Sequence, residues 1–133
     1  MTSPQHKRDR KVYARKRQAE RWGRWAELWV AFVLRCRGFR LMARRYRCPF
    51  GEIDLIVQKN NTLQFIEVKY RSSVDDPAAA LPSFSSRKRL HRAARYFIMK
   101  HPQSDDMEQN FHIVLVTKTL RLQWFDNVFI DFD

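Results

Sequence analysis

The sequence predicts an α/β domain: a central mixed β-sheet flanked by two helices, in the order α-β-β-β-α-β-β. Three observations carry that expectation. An apolar run at three- and four-residue steps ends near residue 37. Three alternating stretches follow, separated by turn residues. A second amphipathic run then precedes two more apolar strands. At 133 residues the chain suits one domain with one modest core.

The first helix is expected from about Arg21 to Arg37, with Trp22, Trp25, Trp29, Phe32, Val33 and Cys36 on its core stripe and Gly38 at its C-terminal cap. FRLMARRYR reads as the first strand, closed by Pro49 and Gly51. Two more strands, Glu52–Gln58 and Leu63–Tyr70, meet at Asn60-Asn61, residues that tolerate the left-handed backbone of a tight turn. Residues 72–84, rich in Ser, Pro, Asp and Ala, read as a loop. The second helix, about Ser85 to Lys100, places Leu90, Ala93, Ala94, Phe97 and Ile98 on one face. Arg87, Lys88, His91, Arg92 and Arg95 occupy the other. FHIVLV is a buried strand, and LRLQWFDNVFI supplies the last strand or strand pair.

Composition narrows the function. Hydrophobic residues form 44% of the chain, enough for a packed globule. Lys and Arg number 26 against 14 Asp and Glu, a net charge of +12, which points first to nucleic acid as partner. Residues 1–21 hold eight of the basic residues and two acids, and read as a basic, flexible or fraying helical arm on a folded domain of residues 22–133. No apolar run reaches the roughly 18–20 residues that span a bilayer, and no apolar core follows the charged start. A cytoplasmic protein without a membrane partner is expected. Cys36 and Cys48 stand too far apart for a zinc or redox pair, and the four histidines lack metal-ligand spacing.

The hairpin GEIDLIVQKNNTLQFIEVKYR holds the chemistry. A turn centred on Asn60-Asn61 sets Asp54 opposite Glu67 and Glu52 opposite Lys69. Alternation then puts Glu52, Asp54 and Ile56 on one face with Phe65, Glu67 and Lys69. Ile53, Leu55, Val57, Ile66 and Val68 form an apolar core face. Opposed carboxylates repel by roughly 0.2–1 kcal/mol, and a hard divalent cation compensates them best. Charges alternating on a solvated hairpin face are the plain alternative.

Asp54 followed by Glu67-Val68-Lys69 on the next strand resembles the PD-(D/E)xK nuclease pattern, with Ile53 where that pattern has proline. The runs LRCRGFRLMARRYRCPFGEIDLIV and LQFIEVKYR, with Gly23, Glu27, Arg71, Lys88, Asn127 and Phe129, resemble the YraN family of small bacterial proteins. The resemblance covers about residues 22–129. It implies a restriction-endonuclease-like core similar to the Holliday-junction resolvases. It further implies Mg²⁺ or Mn²⁺ held by Asp54, Glu67 and the backbone carbonyl of Val68, with Lys69 orienting the attacking water and Glu27 completing the acidic cluster. Asn110 and His112 stand where the family has Arg and Asp. The function expected is metal-dependent hydrolysis of DNA, branched or otherwise structured. Arg71, Arg87, Lys88, Arg92 and Arg95 would contact phosphates, and a homodimer is compatible with the reading. The alternatives are a nucleic-acid-binding module that keeps the nuclease fold without cutting and, more distantly, a ribosome-associated basic protein.

Overall fold

A computed structural model describes residues 4–71 and 84–126. The elements are α1 (Pro4–Cys36), β1 (Arg40–Cys48), β2 (Gly51–Lys59), β3 (Thr62–Arg71), α2 (Phe84–Lys100), a short 3₁₀ turn (Pro102–Ser104), β4 (Glu108–Thr117) and β5 (Leu122–Asp126). The five strands form one sheet in the order β1-β2-β3-β4-β5. β3 and β4 are parallel and the other neighbours antiparallel, so the sheet is mixed, and α2 makes the crossover that a parallel pair requires. This α/β architecture is compatible with a restriction-endonuclease-like core. Residues 72–83, Asn127 and Phe129 lie outside the described residues.

The sheet is covered on both faces, which corrects the expectation of one apolar face. α1 packs Ala26, Val30, Ala31 and Leu34 against Leu55, Val57, Ile66, Val114 and Val116. On the opposite face α2 packs Ala93, Ala94, Phe97 and Ile98 against Ile53, Ile56, Leu63 and Phe65. Ile56 and Phe65, assigned by alternation to the outer face, are therefore core residues. A strand buried on both sides reads as a near-continuous apolar run, and Leu55-Ile56-Val57 is one.

Helix α1 is longer than expected and differently rotated. It starts at Pro4 and ends where expected, at Cys36, before Gly38 with φ of 91°. Its buried stripe is Ala26, Glu27, Val30, Ala31 and Leu34. Trp25 is 67% exposed and Phe32 58%, and Cys36 is exposed too, so these three residues of the expected core stripe face solvent, while the side chain of Trp22 lies outside the described residues. Trp29 lies between the arcs, half-buried, and its indole N–H donates to the Leu120 carbonyl at 3.1 Å. The helix carries two apolar arcs, and small side chains on one of them let it approach the sheet closely. The exposed arc and strand β1 bound a groove of about 620 Å³, lined by Leu28, Phe32, Leu41 and Arg44 among others.

The remaining turns follow their residues. Lys59 pairs with Thr62 across Asn60-Asn61, and Asn60 takes the left-handed conformation at φ of 54°. The carbonyl of Asn61 accepts a hydrogen bond from the Glu108 amide at 2.9 Å, which sets where β4 begins beside β3. Cys36 and Cys48 are free thiols.

Candidate metal centre and nucleic-acid interface

Strands β2 and β3 pair from Lys59↔Thr62 to Leu55↔Ile66, the register expected from the turn. The pairing stops one step short of Asp54 and Glu67, where β2 is distorted. Ile53 and Ile56 both pack with α2, whereas Leu55 and Val57 pack with α1, so strict alternation breaks at Asp54. Arg44↔Leu55 and Tyr46↔Ile53 place Arg45 opposite Asp54, and Arg45 has φ of 54°, an unusual backbone for a residue with a Cβ. The site occupies this irregularity.

Asp54 bridges the gap. Its Oδ2 accepts a hydrogen bond from the Val68 N–H at 2.8 Å, replacing a ladder bond with a side-chain one. In an extended strand one residue's N–H and C=O point to the same side, so the Val68 carbonyl is directed toward the same opening. Burial pushes the Asp54 carboxyl up to about 7 from its ordinary 3.8. The Val68 amide opposes that rise, and the negative charges of Glu27, Glu67 and Glu52 add to it. The charges of three further acids therefore reach Asp54.

Each of the other acids is held differently. Glu67 lies on the α2 side of β3, and its Oε1 is 3.0 Å from Lys69 Nζ. Its Oε2 is buried without a hydrogen-bond partner. Glu27, 8% exposed on α1, accepts from Arg45 Nε at 2.9 Å, a pairing that holds the Arg45 guanidinium in its charged form. Glu52 sits 3.5 Å from Arg47 in an exposed pair. As they stand, no three His, Cys, Asp or Glu side chains among the described residues close around one point tightly enough to hold a metal ion. The donors on offer are the carboxylates of Asp54 and Glu67 with the Val68 carbonyl. Glu67 Oε2, buried without a hydrogen-bond partner, is the donor that the protein itself leaves unused.

A cleft of about 170 Å³ opens from this cluster toward α2, lined by Gly51, Glu52, Glu67, Arg89 and Leu90. Gly51, at φ of 151°, keeps the wall thin: a Cβ there would stand 3.9 Å from that of Arg89. Lys88, Arg92 and Arg95 are exposed on α2, while Arg87 and His91 are half-buried. Arg71 is exposed at the end of β3, its Nη1 donating to the Tyr70 carbonyl at 2.9 Å. The structure thus gathers Asp54, Glu67, Val68, Lys69 and Glu27. Arg71 and the basic residues of α2 lie around the cluster and not within it.

Comparison with known proteins shows the family of the chain. The model of the family described as "Uncharacterised protein family UPF0102" matches residues 26–116. The chain belongs to that family, which is the YraN family. A UPF0102 protein of Rhodopseudomonas palustris is 42% identical over 91 residues, 68% of this chain and 67% of the relative. Relatives in Bradyrhizobium diazoefficiens and Agrobacterium fabrum are each 36% identical, over 87% and 86% of this chain and 87% and 93% of their own lengths. The UPF0102 match spans every acid of the cluster, from Glu27 to Glu67.

Sequence reasoning missed two neighbours of the site in this UPF0102 protein. Arg45 becomes legible once the β1–β2 turn is centred on Pro49-Phe50, because that register sets it opposite Asp54. Arg89 had no such signal. It was one of several cations on α2, and only the crossover geometry turns it toward Gly51.

Proposed function

We propose that this UPF0102 protein is a metal-dependent nuclease acting on DNA, with its reaction centre at Asp54, Glu67, Val68 and Lys69. One observation carries the reading. Asp54 and Glu67, whose Oε2 has no hydrogen-bond partner, flank the end of the β2–β3 pairing near enough for the Glu67 charge to raise the Asp54 carboxyl, which is costly unless a cation accompanies them. Mg²⁺ or Mn²⁺ held there supplies polarisation of a phosphate and a more acidic water. The chain supplies the rest. Lys69, on the same face as Glu67, donates toward the attacking water or toward charge developing on the phosphate oxygens. Glu27 is fixed by Arg45, so it shapes the field around Asp54 through its charge. Arg71, Lys88, Arg92 and Arg95 supply contacts to the backbone that carry no sequence preference.

A nucleic-acid binder that does not cut is the second reading. The Glu27–Arg45 and Glu67–Lys69 pairs favour it, since they neutralise two acids within the chain. Labelled duplex, single-stranded and four-way-junction DNA, each incubated with Mg²⁺, Mn²⁺ or EDTA, separates the two. Cleavage that requires the metal and disappears in Asp54→Asn supports the nuclease. Binding without cleavage under every condition supports the second reading.

A further inference from the structure

We infer that the N-terminal half of α1 is a rigid rail for duplex DNA, leading away from the acidic cluster over about ten base pairs. The inference rests on the nucleic-acid reading above and adds the form and length of the substrate. α1 is continuous from Pro4 to Cys36, and among its residues of described burial Ala26 is the first that is buried. Glu27 meets Arg45 beside Asp54, while the C-terminal end of α1 lies at the far end of β2, where Lys59 Nζ donates to the Arg37 carbonyl at 2.9 Å. The helix therefore runs from the cluster down the sheet, and everything before Ala26 projects past the cluster. From Glu27 back to Pro4, at about 1.5 Å per residue, that projection is about 35 Å. Ten base pairs of B-DNA, at about 3.4 Å each, span the same length.

The charge of the projection says what lies along it. Residues 4–22 hold eight Lys and Arg against Asp9 and Glu20, half of the chain's net charge. Residues 4–12 are exposed to solvent. An anionic membrane would need an apolar face to receive, and this segment offers too few large apolar residues for one. A phosphate backbone needs only cations at intervals, and Arg71 and the start of α2, which follows β3 in the chain, lie at the same end of the sheet. Gly23 stands between the projection and the packed half of the helix, and a Cβ there would meet nothing within 4 Å. The rail can thus be stiffened or broken at one position without disturbing the core.

Full-length protein in EDTA, titrated by fluorescence anisotropy against duplexes of roughly 8 to 30 base pairs, provides the test. Affinity should rise with duplex length, and Gly23→Ala should preserve or sharpen that rise. Gly23→Pro keeps every charge and begins a shortened helix at a position where proline is tolerated. It should lose the length dependence while its thermal melt stays cooperative. Replacing Lys7, Arg8, Lys11 and Arg15 by Gln should flatten the salt dependence by about three contacts. Between 50 and 200 mM salt, the wild type would then lose about 40-fold more affinity than this variant. An unchanged length profile in Gly23→Pro overturns the rigid rail, and an unchanged salt slope in the Gln variant removes the arm from the DNA. Stronger binding to phosphatidylserine vesicles than to duplex would also overturn the inference. Because no cleavage is measured, absence of nuclease activity would leave these results standing by themselves.

Discussion

Replacing Asp54 by asparagine should make the metal-free protein more stable, by an amount that grows with pH. In the folded state the carboxyl is raised to about 7 by burial, with the neighbouring acids adding to the rise. In the unfolded chain it titrates near 3.8. Between those two values the folded state binds more protons than the unfolded one, so stability falls as pH rises. Below about pH 4 both states are protonated and the cost is absent. Above about pH 7 it is complete, and at about 1.36 kcal/mol per pH unit it reaches about 4 kcal/mol as an upper bound. Asparagine keeps an oxygen for the Val68 N–H and carries no charge to desolvate. Urea denaturation of both proteins in EDTA, from about pH 4 to pH 8, isolates this contribution, because every other titrating group is shared. The curves should coincide at low pH and diverge as pH rises, the variant being the more stable. Mn²⁺ at about a hundred times its dissociation constant should return about 2.7 kcal/mol to the wild type and little to the variant. A variant destabilised at pH 8, or a difference that does not change with pH, would refute the reasoning and make Asp54 a structural acid.

Other substitutions test the surrounding frame. Arg45→Ala strips the buried Glu27 of its 2.9 Å partner and should cost about 1–3 kcal/mol in denaturant unfolding. Leu34→Ala, at 2% exposure, should cost about 2–5 kcal/mol. Phe32→Ala, two residues earlier and 58% exposed, should stay within about 0.5 kcal/mol, and a reversal of that order by thermal melting would restore the aromatic arc as the core. Lys69→Met should lower metal-dependent cleavage on the order of a hundredfold while leaving DNA affinity near that of the wild type.

Much of this was legible in the residues. Turn chemistry at Asn60-Asn61 fixed the β2–β3 register from Lys59↔Thr62 to Leu55↔Ile66, and alternation put Lys69 beside Glu67. Apolar periodicity located both helices. Periodicity alone could not choose between the two apolar arcs of α1, because that choice depends on how closely the helix approaches the sheet. Small Ala26 and Ala31 allow an approach that Trp25 and Phe32 do not. Alternation likewise treated β2 as half-buried, although Ile56 and Phe65 are covered by α2. The break at Asp54 and the left-handed Arg45 opposite it are products of three strands packing together. No local pattern in the chain announces them.

The most direct measurement of the central claim is a calorimetric titration of Mn²⁺ into the wild-type protein and into Asp54→Asn, repeated at about pH 6.5 and pH 8 in buffers of different ionisation enthalpy. The acids at the β2–β3 break should bind one ion per chain. Protons should be released at the lower pH, where Asp54 is largely protonated, and fewer at the higher. Asp54→Asn should bind the ion weakly or not at all. A wild type that takes up no ion at millimolar concentration, or a variant that binds as the wild type does, would contradict a metal centre at Asp54 and Glu67.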